Sequence, residues 1–92
     1  MTRKVREIEA TLVVKGFVLR QTHHRYYTYT TRDGDVSDAV THVSHGTKEI
    51  GDSLLGRMAR QCLLPKKEFL RLVDCSLTRE AYEALLTAGG HI

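Results

Sequence analysis

Ninety-two residues make one small domain, with a single core and no room for a separate substrate domain. Apolar residues are 41% of the chain and charged residues 27%, a globular balance that excludes disorder and collagen-like repeats. No apolar run approaches the ~20 residues of a membrane span. The net charge of +3 is spread evenly, with 8 basic against 6 acidic groups in residues 1–51 and 6 against 5 in residues 52–92. An acidic partner such as nucleic acid is therefore permitted but not demanded.

The basic residues Arg3, Lys4 and Arg6 are followed by no apolar signal-peptide core. Cys62 and Cys75 are too few for a disulfide-stapled secreted module. A cytoplasmic protein is expected.

Val5, Ile8, Leu12 and Val13 recur at helical spacing, and Lys15 followed by Gly16 marks the end of that helix. The period then changes. Residues 17–21 read as a short strand and residues 25–31 as a longer one rich in Tyr and Thr. Arg32-Asp33-Gly34-Asp35 is a hairpin signal, because Asp-Gly tolerates the positive φ such turns need. Residues 36–44 supply the partner strand.

After Gly46 the helical period returns. Ile50, Leu54, Met58 and Cys62 form one apolar face with Leu55 and Ala59 beside it, and Asp52 or Ser53 is placed to cap its start. Pro65 suits the first turn of a following helix that carries Phe69, Leu70, Leu72 and Val73. A last helix begins near Thr78, where Leu77 can pack on Tyr82 as a hydrophobic staple. The sequence predicts an α+β layer: a helix, a three-stranded antiparallel sheet, then three helices on one face of it. Residues 1–92 read as a single domain.

The segment Gln21-Thr22-His23-His24-Arg25-Tyr26-Tyr27 is the most informative. On a strand, His24, Tyr26 and Thr28 point one way and His23, Arg25 and Tyr27 the other. An imidazole suits both removal and return of a proton near pH 7. A His beside Arg and Tyr can take the proton of a ribose 2′-hydroxyl while the cation holds the phosphate. Composition alone favours the plainer reading, in which such His residues satisfy backbone groups or decorate the surface.

A second cluster, His42-Val43-Ser44-His45-Gly46-Thr47-Lys48, joins the third strand to the next helix. Its backbone amides and Lys48 suit a phosphate; the plainer alternative is a simple connection. Arg57, Arg60, Lys66, Lys67 and Arg71 make a further basic stripe able to touch phosphates without reading sequence. No CxxC or HExxH spacing is present, and both cysteines fall on apolar helical positions as small core residues. No metal site and no cofactor are expected.

These residues resemble a known family. Lys15-Gly16-Phe17 before the first strand, Thr22-His23-His24-Arg25-Tyr26 entering the second, and His45-Gly46-Thr47-Lys48-Glu49-Ile50 with Leu54 and Leu63-Leu64 are similar to the HicA (YcfA-like) toxins. The resemblance covers residues 4–64. It implies a fold like the double-stranded RNA-binding domain, with residues 65–92 added as two extra C-terminal helices. It also implies an endoribonuclease that cleaves mRNA by His acid–base chemistry without a metal and is held inactive by a HicB-type antitoxin.

Carried over residue by residue, the resemblance makes His24 the catalytic His. Thr22, His23, Arg25, Tyr26, His45, Lys48, Arg57 and Arg60 are supporting or RNA-contacting candidates, with His45 or water returning the proton. The chain departs from the pattern at Gln21, where the family has Gly, in a longer hairpin, and in the added helices. A non-catalytic RNA-binding or protein-interaction module on the same fold is the alternative. Phe69, Leu70, Leu72 and Val73 crowd more than one helical face, which points to a homo-oligomer or another protein docked on the C-terminal helices.

Overall fold

A computed structural model describes residues 3–44 and 46–91. The elements are β1 (Arg3–Lys4), α1 (Val5–Val14), β2 (Phe17–Gln21), β3 (Arg25–Thr30), β4 (Val36–Val43), β5 (Glu49–Ile50), α2 (Asp52–Gln61), α3 (Lys66–Val73) and α4 (Arg79–Ala88). This is an α+β fold with four helices and a three-stranded antiparallel sheet in the order β2–β3–β4. The short β1 and β5 pair separately, Arg3 opposite Ile50 and Lys4 opposite Glu49. Among the described residues no helix is long and apolar enough to cross a membrane.

Alternation along the strands divides the sheet into two faces. Phe17, Tyr27, Tyr29, Ala39, Thr41 and Val43 are buried, and the helices pack over this side. The other side is open, with Val18 55%, Val36 72% and Val40 38% exposed. Strands β3 and β4 pair as Thr30–Val36, then shift register before continuing as Thr28–Val40, Tyr26–His42 and Arg25–Val43. At this bulge the Ser37 hydroxyl donates to the Tyr29 carbonyl at 2.9 Å, so a ladder group displaced by the irregularity keeps a partner.

Helix α1 ends as its residues imply. Gly16 has φ +100°, and a Cβ there would stand 2.6 Å from Arg79 Nε. The left-handed backbone favours glycine, and any larger residue would also have to displace the Arg79 guanidinium. Helices α2 and α3 end in the same left-handed geometry without it, at Leu63 (φ 63°) and Cys75 (φ 67°). After α2, the Leu63 amide donates to the Arg60 carbonyl and the Leu64 amide to that of Ala59, at 3.0 and 2.9 Å. These bonds satisfy carbonyls that the helix end would leave orphaned.

Four details differ from the sequence-based expectation. Ile50 is buried but lies in β5 rather than on α2, because its backbone pairs with Arg3. The α2 N-cap is Gly51, with no side-chain cap bond; Asp52 is already helical, and its carboxylate pairs with Lys66 Nζ at 3.4 Å. Pro65 is the N-cap of α3 rather than a residue of its first turn. Cys75 is exposed and lies beyond the end of α3, whereas Cys62 is fully buried as expected. Its left-handed backbone places Cys75 outside the apolar face that its spacing suggested.

The C-terminal helices are part of the core. The Phe17 and Tyr82 rings stack with centroids 5.7 Å apart, and Tyr29 meets both edge-on at 5.5 and 5.0 Å. The Tyr82 hydroxyl donates to the Cys62 carbonyl at 2.8 Å. That of Tyr29 donates to Glu83 Oε1 at 2.7 Å, and Arg79 Nη2 donates to the Thr30 carbonyl at 3.0 Å. Thr78 caps α4 by accepting from the Ala81 amide, and Leu77 and Tyr82 are both buried as a staple requires. Phe69, Leu72 and Val73 are buried within this chain, with Leu70 packed against them. Their crowding is thus taken up by the chain's own core.

Candidate functional site

Strands β2 and β3 are joined by Thr22-His23-His24, a turn closed by a bond from the Thr22 amide to the His24 carbonyl at 3.0 Å. Thr22 and His23 are exposed on this turn. Beyond it, the alternation predicted for the segment holds. Tyr27 and Tyr29 turn into the core, while His24, Tyr26 and Thr28 are half-buried.

On the open face three rings meet. His24 and His42 have centroids 5.3 Å apart, Tyr26 and His42 5.5 Å, and His24 and Tyr26 6.2 Å. The register explains the meeting. Tyr26 stands opposite His42 on β4 and opposite Arg20 on β2, so Arg20, Tyr26 and His42 form one cross-strand row with side chains on one side. His24 lies one alternate position beyond this row. Among the described residues, His24 Nδ1 is buried and has no hydrogen-bond partner. A buried ring nitrogen without a partner costs about 1–3 kcal/mol, which a bound water or ligand can offset.

Arg25 projects to the opposite side. Its Nε lies 3.0 Å from Glu9 Oε2 as an ion pair, without the alignment of a hydrogen bond. The Tyr27 hydroxyl donates to the same Glu9 oxygen. Burial first, and the Glu9 carboxylate second, push the Tyr27 phenol up, so it stays protonated. Lys48 is on this side of the sheet too. It borders an open recess of about 470 Å³ with Arg25, Lys4 and Arg6.

The expected site residues therefore divide. His24 and Tyr26 come together on the open face, whereas Arg25 and Lys48 border the recess. Arg57 and Arg60 are exposed on α2 and line neither place. His45 lies outside the described residues. Of the remaining basic stripe, Lys66 pairs with Asp52 and Arg71 with Glu68. The sequence places His42 at the end of the 36–44 strand and in the cluster that leads to the next helix, without pairing it with His24. The signal that could have paired it with His24 is the alternation of outward positions 36, 38, 40 and 42 along that strand. Among the described residues no three His, Cys, Asp or Glu side chains converge as a metal site would need.

Two imidazoles beside a phenol and a guanidinium can move protons and hold a phosphate. Comparison of the chain with protein-family models, curated proteins and solved structures gave no match.

Proposed function

We propose that this chain is an endoribonuclease of the HicA (YcfA-like) toxin kind, acting on mRNA by His acid–base chemistry without a metal. The observation that carries this reading is the His24–His42 ring pair, 5.3 Å between centroids, on a sheet face that no helix covers. The order helix, three strands, helix, with helices on one side of the sheet, supports a fold like the double-stranded RNA-binding domain. Helices α3 and α4 are then the additions.

His24 is the general base. It takes the ribose 2′-hydroxyl proton as the 2′-oxygen forms a bond to phosphorus and the bond to the 5′-oxygen breaks. His42, protonated, gives its proton to that leaving oxygen, and the products are a 2′,3′-cyclic phosphate and a 5′-hydroxyl. His42 takes the role that the sequence assigned to His45 or water. Arg20, opposite Tyr26, supplies the cation for the developing phosphorane charge, in place of Arg25, which Glu9 engages. Positioned acid–base groups contribute about 10²–10⁴-fold, and electrostatic stabilisation supplies the larger remainder.

A HicB-type antitoxin is the proposed protein partner. The exposed Val18, Val36 and Val40 beside the ring cluster support the open sheet face as its seat, since apolar groups bordered by polar ones favour protein contact.

The test is induction of the wild type and of His24→Ala in growing cells, with growth and total RNA compared. The wild type is expected to stop growth and fragment RNA, and the variant to do neither while remaining folded. Intact RNA and normal growth under wild-type expression would sink the nuclease. RNA binding that persists unchanged in both proteins would then mark the fold as a binding module.

A further inference from the structure

The recess on the far side of the sheet end is built from the first turn of α1, the start of β3 and residues 47–49. Its charged walls are Lys4, Arg6, Arg25, Lys48, Glu9 and Glu49. Glu9 is already occupied by Arg25 and by the Tyr27 hydroxyl. Lys4, Arg6 and Lys48 form no ion pair among the described residues, and only Glu49 stands against them. Three converging cations repel one another, and a concave wall concentrates their field.

The convergence is held by the backbone. The Val5 amide donates to the Lys48 carbonyl at 3.0 Å, and Lys4 pairs with Glu49 across β1 and β5. The chain therefore holds the Lys4 and Lys48 backbones one register step apart at the rim of the recess, with Glu49 directly opposite Lys4. A net positive hollow so constructed suits a phosphodiester strand or another polyanion.

Its position relates it to the ring cluster. Arg25 follows His24 in sequence, and its register partner Val43 follows His42. The rings and the recess thus occupy opposite faces of the same end of the sheet. We propose that the recess is a second subsite, holding the phosphodiester backbone of the same single RNA strand that is cleaved at His24 and His42, where that strand passes round the end of the sheet. This inference rests on the endoribonuclease reading for the identity of the strand.

The test uses a fluorescent single-stranded oligoribonucleotide with 2′-O-methyl riboses, which binds but is not cleaved. Its affinity is measured by anisotropy over a salt series for the wild type, Lys4→Gln/Arg6→Gln/Lys48→Gln and Arg57→Gln/Arg60→Gln. For single strands the slope of log affinity on log salt changes by about 0.7 per phosphate contact. The triple variant is expected to lose about 2 units of slope and about 10- to 100-fold in low-salt affinity. With unmodified RNA its KM should rise while kcat stays near wild type. The Arg57/Arg60 pair, which does not line the recess, should change far less.

A triple variant with wild-type affinity and slope would overturn the subsite, as would an equal loss in the Arg57/Arg60 variant. Should the triple variant fail to fold, Arg6→Glu, on exposed helix surface outside the β1–β5 pair, gives the same reading by reversing one charge. A wild type that binds through the recess but leaves unmodified RNA intact would defeat the nuclease and spare the recess. Cleavage with an unchanged KM in the triple variant would do the reverse.

Discussion

His24 and His42 stand on different strands with ring centroids 5.3 Å apart, and Tyr26 touches both. If one ring removes a proton and the other returns it in a single transition state, the two act as a unit. His24→Ala and His42→Ala should each lower the cleavage rate of a single-stranded oligoribonucleotide about 10²–10⁴-fold. The double variant should be scarcely slower than the worse single one. Single-turnover rates at saturating protein check this, and losses that multiply would show two rings acting independently.

Tyr82 joins three elements, stacking on Phe17 and donating to the Cys62 carbonyl. Tyr82→Phe keeps the stack and leaves that buried carbonyl without its donor. A loss of about 1–3 kcal/mol is expected, read as a lower urea midpoint at unchanged m-value. A chain ending at Leu64 would strip the cover from Phe17 and Tyr29, both buried, and should show no cooperative unfolding transition. A sharp transition in that fragment would mean that residues 4–64 fold alone.

Glu83 accepts from the Tyr29 hydroxyl, from the Arg32 amide and from the Arg32 guanidinium. Chiefly through the Tyr29 bond, and then the Arg32 amide, its carboxyl is held below the usual carboxylate range. A carboxylate depressed in the folded state adds stability that is fully present above the unfolded value. That stability is lost as pH falls through the folded value. Acid titration should therefore weaken the wild type below about pH 4.3, the ordinary Glu value, and weaken Glu83→Gln less steeply. Parallel stability–pH curves for the two proteins would contradict this.

The two cysteines should separate chemically. Cys62 is buried and burial pushes its thiol up, so little thiolate forms and access is blocked. Cys75 is exposed at φ 67°. A thiol-specific chromogenic disulfide should consume one equivalent in buffer and two in denaturant. Cys75→Gly should raise stability by roughly 1 kcal/mol, since glycine adopts the left-handed backbone without a Cβ clash. Two equivalents in buffer would show that α2 opens readily.

Much of this architecture was legible from local pattern. Helix, turn and strand signals act over a few residues, so Gly16, Asp33-Gly34 and the 17–21 strand fall where expected. The outward placement of His24 and Tyr26 needed only the two-residue period of a strand. Elements two residues long have no period to read, which is why the β1–β5 pair and the place of Ile50 in it were not seen. Cys75 was misplaced because helical spacing does not tell where a helix stops when no glycine marks the end.

The residues by themselves determined the order of the four helices and of the three main strands, the hairpin and the face on which His24 lies, because each depends on neighbours close in sequence. Only the tertiary structure decided what His24 meets. Had the Thr30–Val36 pairing run on without a shift, Tyr26 would face Val40; the bulge places it opposite His42. It also decided that Arg25 belongs to Glu9 and that the last helices close the core over Phe17. Register, ion pairing and packing join residues distant in the chain, and no local period encodes them.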